Sequence, residues 1–145
     1  WARSSVRQAR AETTAVRRDL EHSLAMARDT LAIIRSADRI RHAGISLGRQ
    51  RGGMVLFADD RRHRWNVVIY GVRAPHPDEV LQFWFITERG MVRGVQVPSP
   101  RAGPAFLTMS MPPAGGRVMG AALTLEAASA RAPEPSGPML VHLML

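Results

Sequence analysis

The hydrophobic period of this chain changes once, near residue 38, and that switch constrains the fold more than any other feature. Residues 1–38 contain no Gly and no Pro and are rich in Ala, Arg, Glu and Leu, all good helix formers. Val6, Ala9, Thr13, Val16, Leu20, Leu24, Ala27, Leu31 and Ile34 recur at three- and four-residue steps, the spacing of one helix face. The stripe keeps a heptad frame to Leu20 and then drifts by one residue, as a straight helix of 3.6 period does. Beyond Asp38 the period becomes two. Short β-rich runs follow at 42–47, 53–58, 64–72, 80–88, 91–97, 105–111, 117–126 and 138–145. Gly52-Gly53, Asp59-Asp60, Pro75-His76-Pro77, Arg89-Gly90, Pro112-Pro113-Ala114-Gly115-Gly116 and Pro133-Glu134-Pro135 separate them. Several short strands at this spacing predict a β-sandwich. The fold class is therefore mainly β: an Ig-like antiparallel β-sandwich over 40–145, preceded by one long N-terminal α-helix, a stalk, over 1–38.

At 145 residues and 46% hydrophobic, the chain has material for one sizeable core. Its formal charge is +8, and all 20 basic residues are Arg. That excess sits in the first hundred residues, where the stalk arginines read as a solvated helix face. The basic stretches lack the interleaved aromatics of a single-stranded nucleic-acid platform, so no nucleic-acid partner is expected. With no Cys there is no disulfide framework, thiolate metal site or thiol nucleophile. No apolar run reaches the roughly 18–20 residues that span a bilayer. The chain begins Trp1-Ala2-Arg3, which reads as a piece of a longer protein.

Several strings suggest chemistry and are outweighed by their setting. Gly44-Ile45-Ser46-Leu47-Gly48 matches the G-x-S-x-G nucleophile elbow, but that elbow joins a strand to a helix inside an alternating α/β fold. Here strands follow, so the string reads as a first strand with Ile45 and Leu47 on one face, and Ser46 is no nucleophile. His22, His42, His63, His76 and His142 show no metal spacing, and His76-Pro77-Asp78-Glu79 reads as a solvated loop. Asp59-Asp60-Arg61-Arg62-His63-Arg64 reads as a charged hairpin tip. Met109 and Met111 suit Cu(I) as thioethers, yet alternation places them with Ala105 and Leu107 as core fillers. No catalytic residue, metal or cofactor is expected. In Leu81-Gln82-Phe83-Trp84-Phe85-Ile86 both faces are bulky, which predicts a central strand covered on both sides, with Trp84 packed in the core.

Two stretches carry a family resemblance. "LQFWFITERGMVRGVQVPSP" (81–100) resembles the pattern Y-Q-L-W-L-[IV], a short turn and a Gly-containing strand. "ALTLEAASARAPEPSGPMLV" (122–141) resembles V-T-x-E-P-x-G-G-S-x-x-P-[ST]-G-P followed by a final apolar strand. In this order and spacing they are similar to the C-terminal, extracytoplasmic domain of the anti-sigma-K factor family, over about residues 40–145. Gln82 and Trp84 match the first motif; Thr124, Glu126, Pro135, Ser136, Gly137 and Pro138 match the second. Leu81 replaces the Tyr, and Ala127-Ala128-Ser129-Ala130 replaces the Pro and paired glycines, so the turn after Glu126 is expected to differ in shape.

The resemblance implies a non-enzymatic sensor or regulatory domain of a membrane-bound anti-sigma factor. It implies a sigma factor partner, held by a cytoplasmic region outside this chain, and release by a membrane protease. It places the chain on the extracytoplasmic (periplasmic) face of the inner membrane, anchored by a transmembrane helix also outside this chain, with Trp1 near the interface. Arg3, Arg7, Arg10, Arg17 and Arg18 run against the positive-inside rule in that orientation. The stalk is expected either to dock on the sandwich or to form a homodimer. A second reading of the residues is a basic adhesion module that binds anionic polymer or lipid through the stalk and the 59–64 tip; a third is a Met-dependent copper carrier.

Overall fold

The computed structural model describes residues 2–99, 103–112 and 116–145. Trp1 and the 113–115 part of the Pro-Gly separator, on which expectations had fallen, lie outside these. The chain divides into two compact units, Trp1–Ser36 and Ala37–Leu145.

The first unit is a single helix, α1 (Ala2–Ser36). At 1.5 Å per residue it is about 50 Å long. Thr13, Thr14 and Thr30 satisfy their hydroxyls inside it, each donating to the carbonyl four residues earlier at 2.9 Å. Taken by itself, one helix has nothing with which to cover its stripe of Val6, Val16, Leu20, Leu24, Leu31 and Ile34.

The second unit holds eight antiparallel strands in two sheets. They are β1 (Arg39–Leu47), β2 (Gln50–Asp59), β3 (Arg64–Tyr70), β4 (Glu79–Thr87), β5 (Gly90–Gln96), β6 (Ala105–Ser110), β7 (Val118–Ala127) and β8 (Met139–Met144). The first sheet has the order β1-β2-β3-β6 and the second β5-β4-β7-β8. The chain therefore crosses between sheets after β3, β5 and β6. Every strand expected from the alternation is present, and the fold is a mainly β, two-sheet sandwich with one N-terminal helix.

Alternation sorts the side chains. Met54, Leu56, Trp65, Val67, Ile69, Leu107 and Met109 point inward from the first sheet, and Leu81, Phe83, Phe85, Ala121, Leu123 and Val141 from the second. Trp65 meets Phe83 edge-on at 6.5 Å and Phe85 at 5.4 Å, a favoured geometry for aromatic pairs. Ile45 is buried in this core and Ser46 is exposed on the opposite face of β1. Met109 is core filler at 5% exposure.

Two expectations, on Gly52-Gly53 and on Trp84, need correction. Gly52-Gly53 does not separate strands; both lie inside β2. A Cβ on Gly52 would run into the Tyr70 carbonyl oxygen, and one on Gly53 would stand 2.8 Å from His42 Nε2. The pair is there so that neighbours can come close, which a glycine in a strand also signals. The charged tip at 59–64 is a solubilising hairpin end whose two carboxylates are ion-paired. Arg39 pairs with Asp60 at 2.9 Å and Arg62 with Asp59 at 3.3 Å, while the Asp60 amide donates to Asp38 Oδ2. The carboxylates of the tip are thus held by Arg62 within it and by Arg39 of β1, while Arg61 stays 89% exposed. His63 closes this hairpin in the left-handed region, at φ 51°. Finally, Trp84 lies outside the inter-sheet core. It packs with Ile86, Ala122 and Met91 on the outer face of the second sheet, because β4 alternation sends even residues away from Phe83 and Phe85.

Candidate functional site

That outer face brings most of the motif residues together. β4 presents Gln82, Trp84 and Ile86, and its neighbour β7 presents Ala122, Thr124 and Glu126. The register sets Gln82 opposite Thr124 and Trp84 opposite Ala122, so the small Ala122 leaves room for the indole. An outer sheet face ordinarily meets water. Here Gln82, Trp84 and Thr124 are each 0% exposed and Glu126 2%, because a loop over 128–138 folds back across the sheet.

The hydrogen-bond chemistry has one direction. An indole N–H only donates, so Trp84 Nε1 donates to Thr124 Oγ1 at 2.8 Å. The Thr124 hydroxyl proton then goes to Glu126 Oε1 at 2.7 Å. The Glu126 carboxylate also accepts from Ser136 Oγ at 2.7 Å, from the Ser136 amide at 3.2 Å and from the Gly137 amide at 3.1 Å. Burial pushes the Glu126 carboxyl up, but the bonds from Ser136, Thr124 and Gly137 outweigh it and hold it below its ordinary value of 4.5. A carboxylate with this many donors stays ionised.

Gly137 is fixed by space. A Cβ there would collide with the Leu125 carbonyl, so only glycine lets the loop reach the carboxylate. Beside it, the Pro138 carbonyl accepts from Leu125 N at 3.0 Å, carrying the β7–β8 ladder through its register shift. Pro135 precedes the two amide donors and, lacking an N–H of its own, stands beside the network without donating to it. The turn at 127–130 closes through Ala130 N to the Ala127 carbonyl at 2.9 Å.

Gln82 explains itself through a bulge. The β4–β5 register shifts between Gln82 and Trp84, and the Gln82 amide fills that shift by donating to the Gly94 and Val95 carbonyls at 3.0 and 3.1 Å. Arg93 donates back to Gln82 Oε1 at 2.9 Å. Its guanidinium lies 4.6 Å from the Trp84 ring centroid, within cation–π range, and donates to the Ala132 carbonyl of the loop. Arg93 thus ties bulge, indole and loop together. Sequence reasoning missed it, although it stands alone as a cation among small and apolar residues of β5. Its register partner is Trp84, and an Arg one strand away from a motif Trp was the available signal.

Chemically, the network is saturated. Thr124 Oγ1 accepts one proton and gives its own to a carboxylate, so its hydroxyl is committed to bridging Trp84 and Glu126. Among the described residues no group of three or more His, Cys, Asp or Glu side chains is placed to hold a metal ion. Among the same residues no helix is long and apolar enough to cross a membrane.

Fold and site together define a β-sandwich module in which buried polar groups lock one long loop onto a sheet. The chain belongs to the family described as anti-sigma-K factor RskA, C-terminal, whose model matches residues 3–139. The match takes in the helix as well as the sandwich, extending the span from about residue 40 back to residue 3. It makes the chain the C-terminal domain of an anti-sigma factor, a regulatory and membrane-associated class whose partner is a sigma factor. No curated protein and no solved structure gives a match.

Proposed function

We propose that this chain is the extracytoplasmic sensor or regulatory part of a membrane-bound anti-sigma factor controlling an alternative sigma factor of the extracytoplasmic-function type. In this reading the sigma factor is bound by a cytoplasmic region outside this chain, and a transmembrane helix, also outside it, anchors the protein. Release of the sigma factor is by regulated proteolysis, and the chain has no enzymatic role. The observation that supports it best is the family match running through helix and sandwich as one continuous span. The physical contribution of the sandwich is resistance to opening. Gln82, Arg93, Trp84, Thr124, Glu126, Ser136 and Gly137 bind a loop that would otherwise be an accessible extended segment, and proteases cleave such segments preferentially. Loss of that resistance couples the outer domain to cleavage nearer the membrane.

The reading is tested in the full-length protein with a transcriptional reporter for its sigma factor. A Glu126→Ala variant, which opens the loop, is expected to raise reporter output and shorten the protein's half-life. A Ser46→Ala variant, altered on an exposed face, is expected to leave both unchanged. Reporter output that stays at the wild-type level when residues 37–145 are deleted would refute a regulatory role for the sandwich.

A further inference from the structure

The stripe of α1 has no cover within its own unit, and most helical stability comes from packing of such a face. The charges that flank the stripe indicate what it packs against. With Val6 at an a position, the heptad frame holds to Leu20. The four-residue step from Leu20 to Leu24 is a stutter, which locally unwinds a coiled coil. A second frame then runs from Leu24 at a to Ile34 at d. In both frames every e position is an arginine: Arg3, Arg10, Arg17, Arg28 and Arg35. No g position is basic. Ser5, Glu12, Asp19, Ser23 and Thr30 occupy them. The stripe is thus bounded by cations along one side and by carboxylates and hydroxyls along the other.

Glu12 is not placed to pair inside its own helix. On a solvated helix a carboxylate is supported by a cation three or four residues away. At those distances Glu12 has Gln8, Ala9, Ala15 and Val16. Among the described residues every ion pair lies within 38–79, beyond the helix. The Glu12 carboxylate therefore carries its charge unpaired in the single chain, at the border of an uncovered apolar stripe.

We propose that two copies of this chain pair through α1 as a parallel, in-register two-stranded coil. Charge selects both the occupant and its direction. In a parallel pair the g residue of one helix faces the e residue of the next heptad of the other. Glu12 of each copy then meets Arg17 of the other, and the two-fold axis makes the contact twice. Like charges do not meet along the rest of the seam: Arg10 faces Ser5, Arg28 faces Ser23 and Arg35 faces Thr30, while Asp19 falls at the stutter opposite Leu24. In an antiparallel pair e faces e and g faces g, which lines arginine against arginine. A foreign partner needs an apolar stripe with an acid on the flank that meets the arginines, and this helix supplies that surface itself. Ala9, Thr13 and Ala27 bury little area each, so the association is weak and concentration-dependent. Both N-termini lie at one end of the pair, an arrangement open to two copies anchored in one membrane.

The chain has no cysteine, so single introduced thiols report the pairing. In the full chain, Ala9→Cys and Ala27→Cys at d positions are expected to give disulfide-linked dimers under mild oxidation, because a parallel in-register pair sets each opposite its own copy. Ala11→Cys and Ala25→Cys, on the outer face of the helix, are expected to give none. Sedimentation from micromolar to millimolar concentration is expected to show a monomer–dimer equilibrium. Glu12→Arg sets like charges across both symmetric contacts and is expected to weaken it about tenfold at low salt. Adding Arg17→Glu exchanges the pair and is expected to restore it. A wild-type chain that stays monomeric throughout overturns the proposal. So does a dimer that cross-links no better through Ala9→Cys than through Ala11→Cys, the result of antiparallel pairing or of contact through the sandwich. A double exchange that recovers none of what Glu12→Arg loses also overturns it. Should Glu12→Arg lower the helicity seen by circular dichroism, the thiols decide alone.

Discussion

Replacing Glu126 by Gln changes one atom's chemistry and leaves the shape of the side chain intact. The carboxylate accepts from four donors: Thr124 Oγ1, Ser136 Oγ, and the amides of Ser136 and Gly137. A Gln retains one acceptor oxygen, which keeps two of them, and turns an NH2 toward the others. Bonds to a charged acceptor are worth about 1 kcal/mol more each than neutral ones, and a buried donor left unpaired costs about 1–3 kcal/mol. Two weakened bonds and two lost acceptors sum to about 4–8 kcal/mol, and relief from burying a charge leaves an expected loss of at least about 2–3 kcal/mol at pH 7. The pH dependence follows from the sign of the shift. The folded carboxyl sits below its ordinary value of 4.5, so its stabilisation is fully present above that value and is lost as pH falls through the folded pKa. Urea melts of wild type and Glu126→Gln, followed by circular dichroism from pH 7 down to pH 3, should show a gap that is constant near neutrality and closes in acid. Equal midpoints at pH 7, or a gap that does not change with pH, would refute the reasoning.

Other outcomes follow from the same contacts. Trp84→Ala should cost about 3–5 kcal/mol, as for large-to-small core changes, and a urea midpoint within error of wild type would remove the indole from the packing account. Gly137→Ala should destabilise by more than Ser136→Ala, because it forces the loop off the Leu125 carbonyl whereas the serine change removes one donor; the ranking of melting temperatures checks this. Arg93→Met should free the loop at Ala132 and speed limited proteolysis within 128–138, read by mass spectrometry of the nicked chain. A chain beginning at Ala37 should unfold cooperatively, as expected of a unit that carries all eight strands; a non-cooperative melt would make the helix part of its core.

What was legible in the sequence is what period and turn chemistry determine locally. The change of period at residue 38 separates helix from strands, and the alternation in 105–110 assigns each side chain to a face. Gly52-Gly53 misled because glycine signals both a turn and a close approach, and only the positions of Tyr70 and His42 decide between them. Trp84 was seen as buried but not on which side: a strand covered on both faces hides where its second cover comes from, and here the cover is the loop over 128–138, distant in sequence. Arg93 went unnoticed for the same reason, since its partners at Gln82, Trp84 and Ala132 meet only after the bulge and the loop are in place. The Ser136 and Gly137 donors on Glu126 could be guessed from the Ser-Gly-Pro string, but their convergence with Thr124 on one carboxylate is a tertiary fact.

Placement of the sandwich outside the cytoplasm is the claim on which the proposed role depends, and one measurement addresses it. In the full-length protein, with any other cysteines replaced, a single Ser46→Cys on the exposed face of β1 is treated in intact cells with a membrane-impermeant maleimide. The account predicts labelling before the membrane is broken, to the same extent as after it. A cysteine that reacts only once the cells are lysed would contradict it.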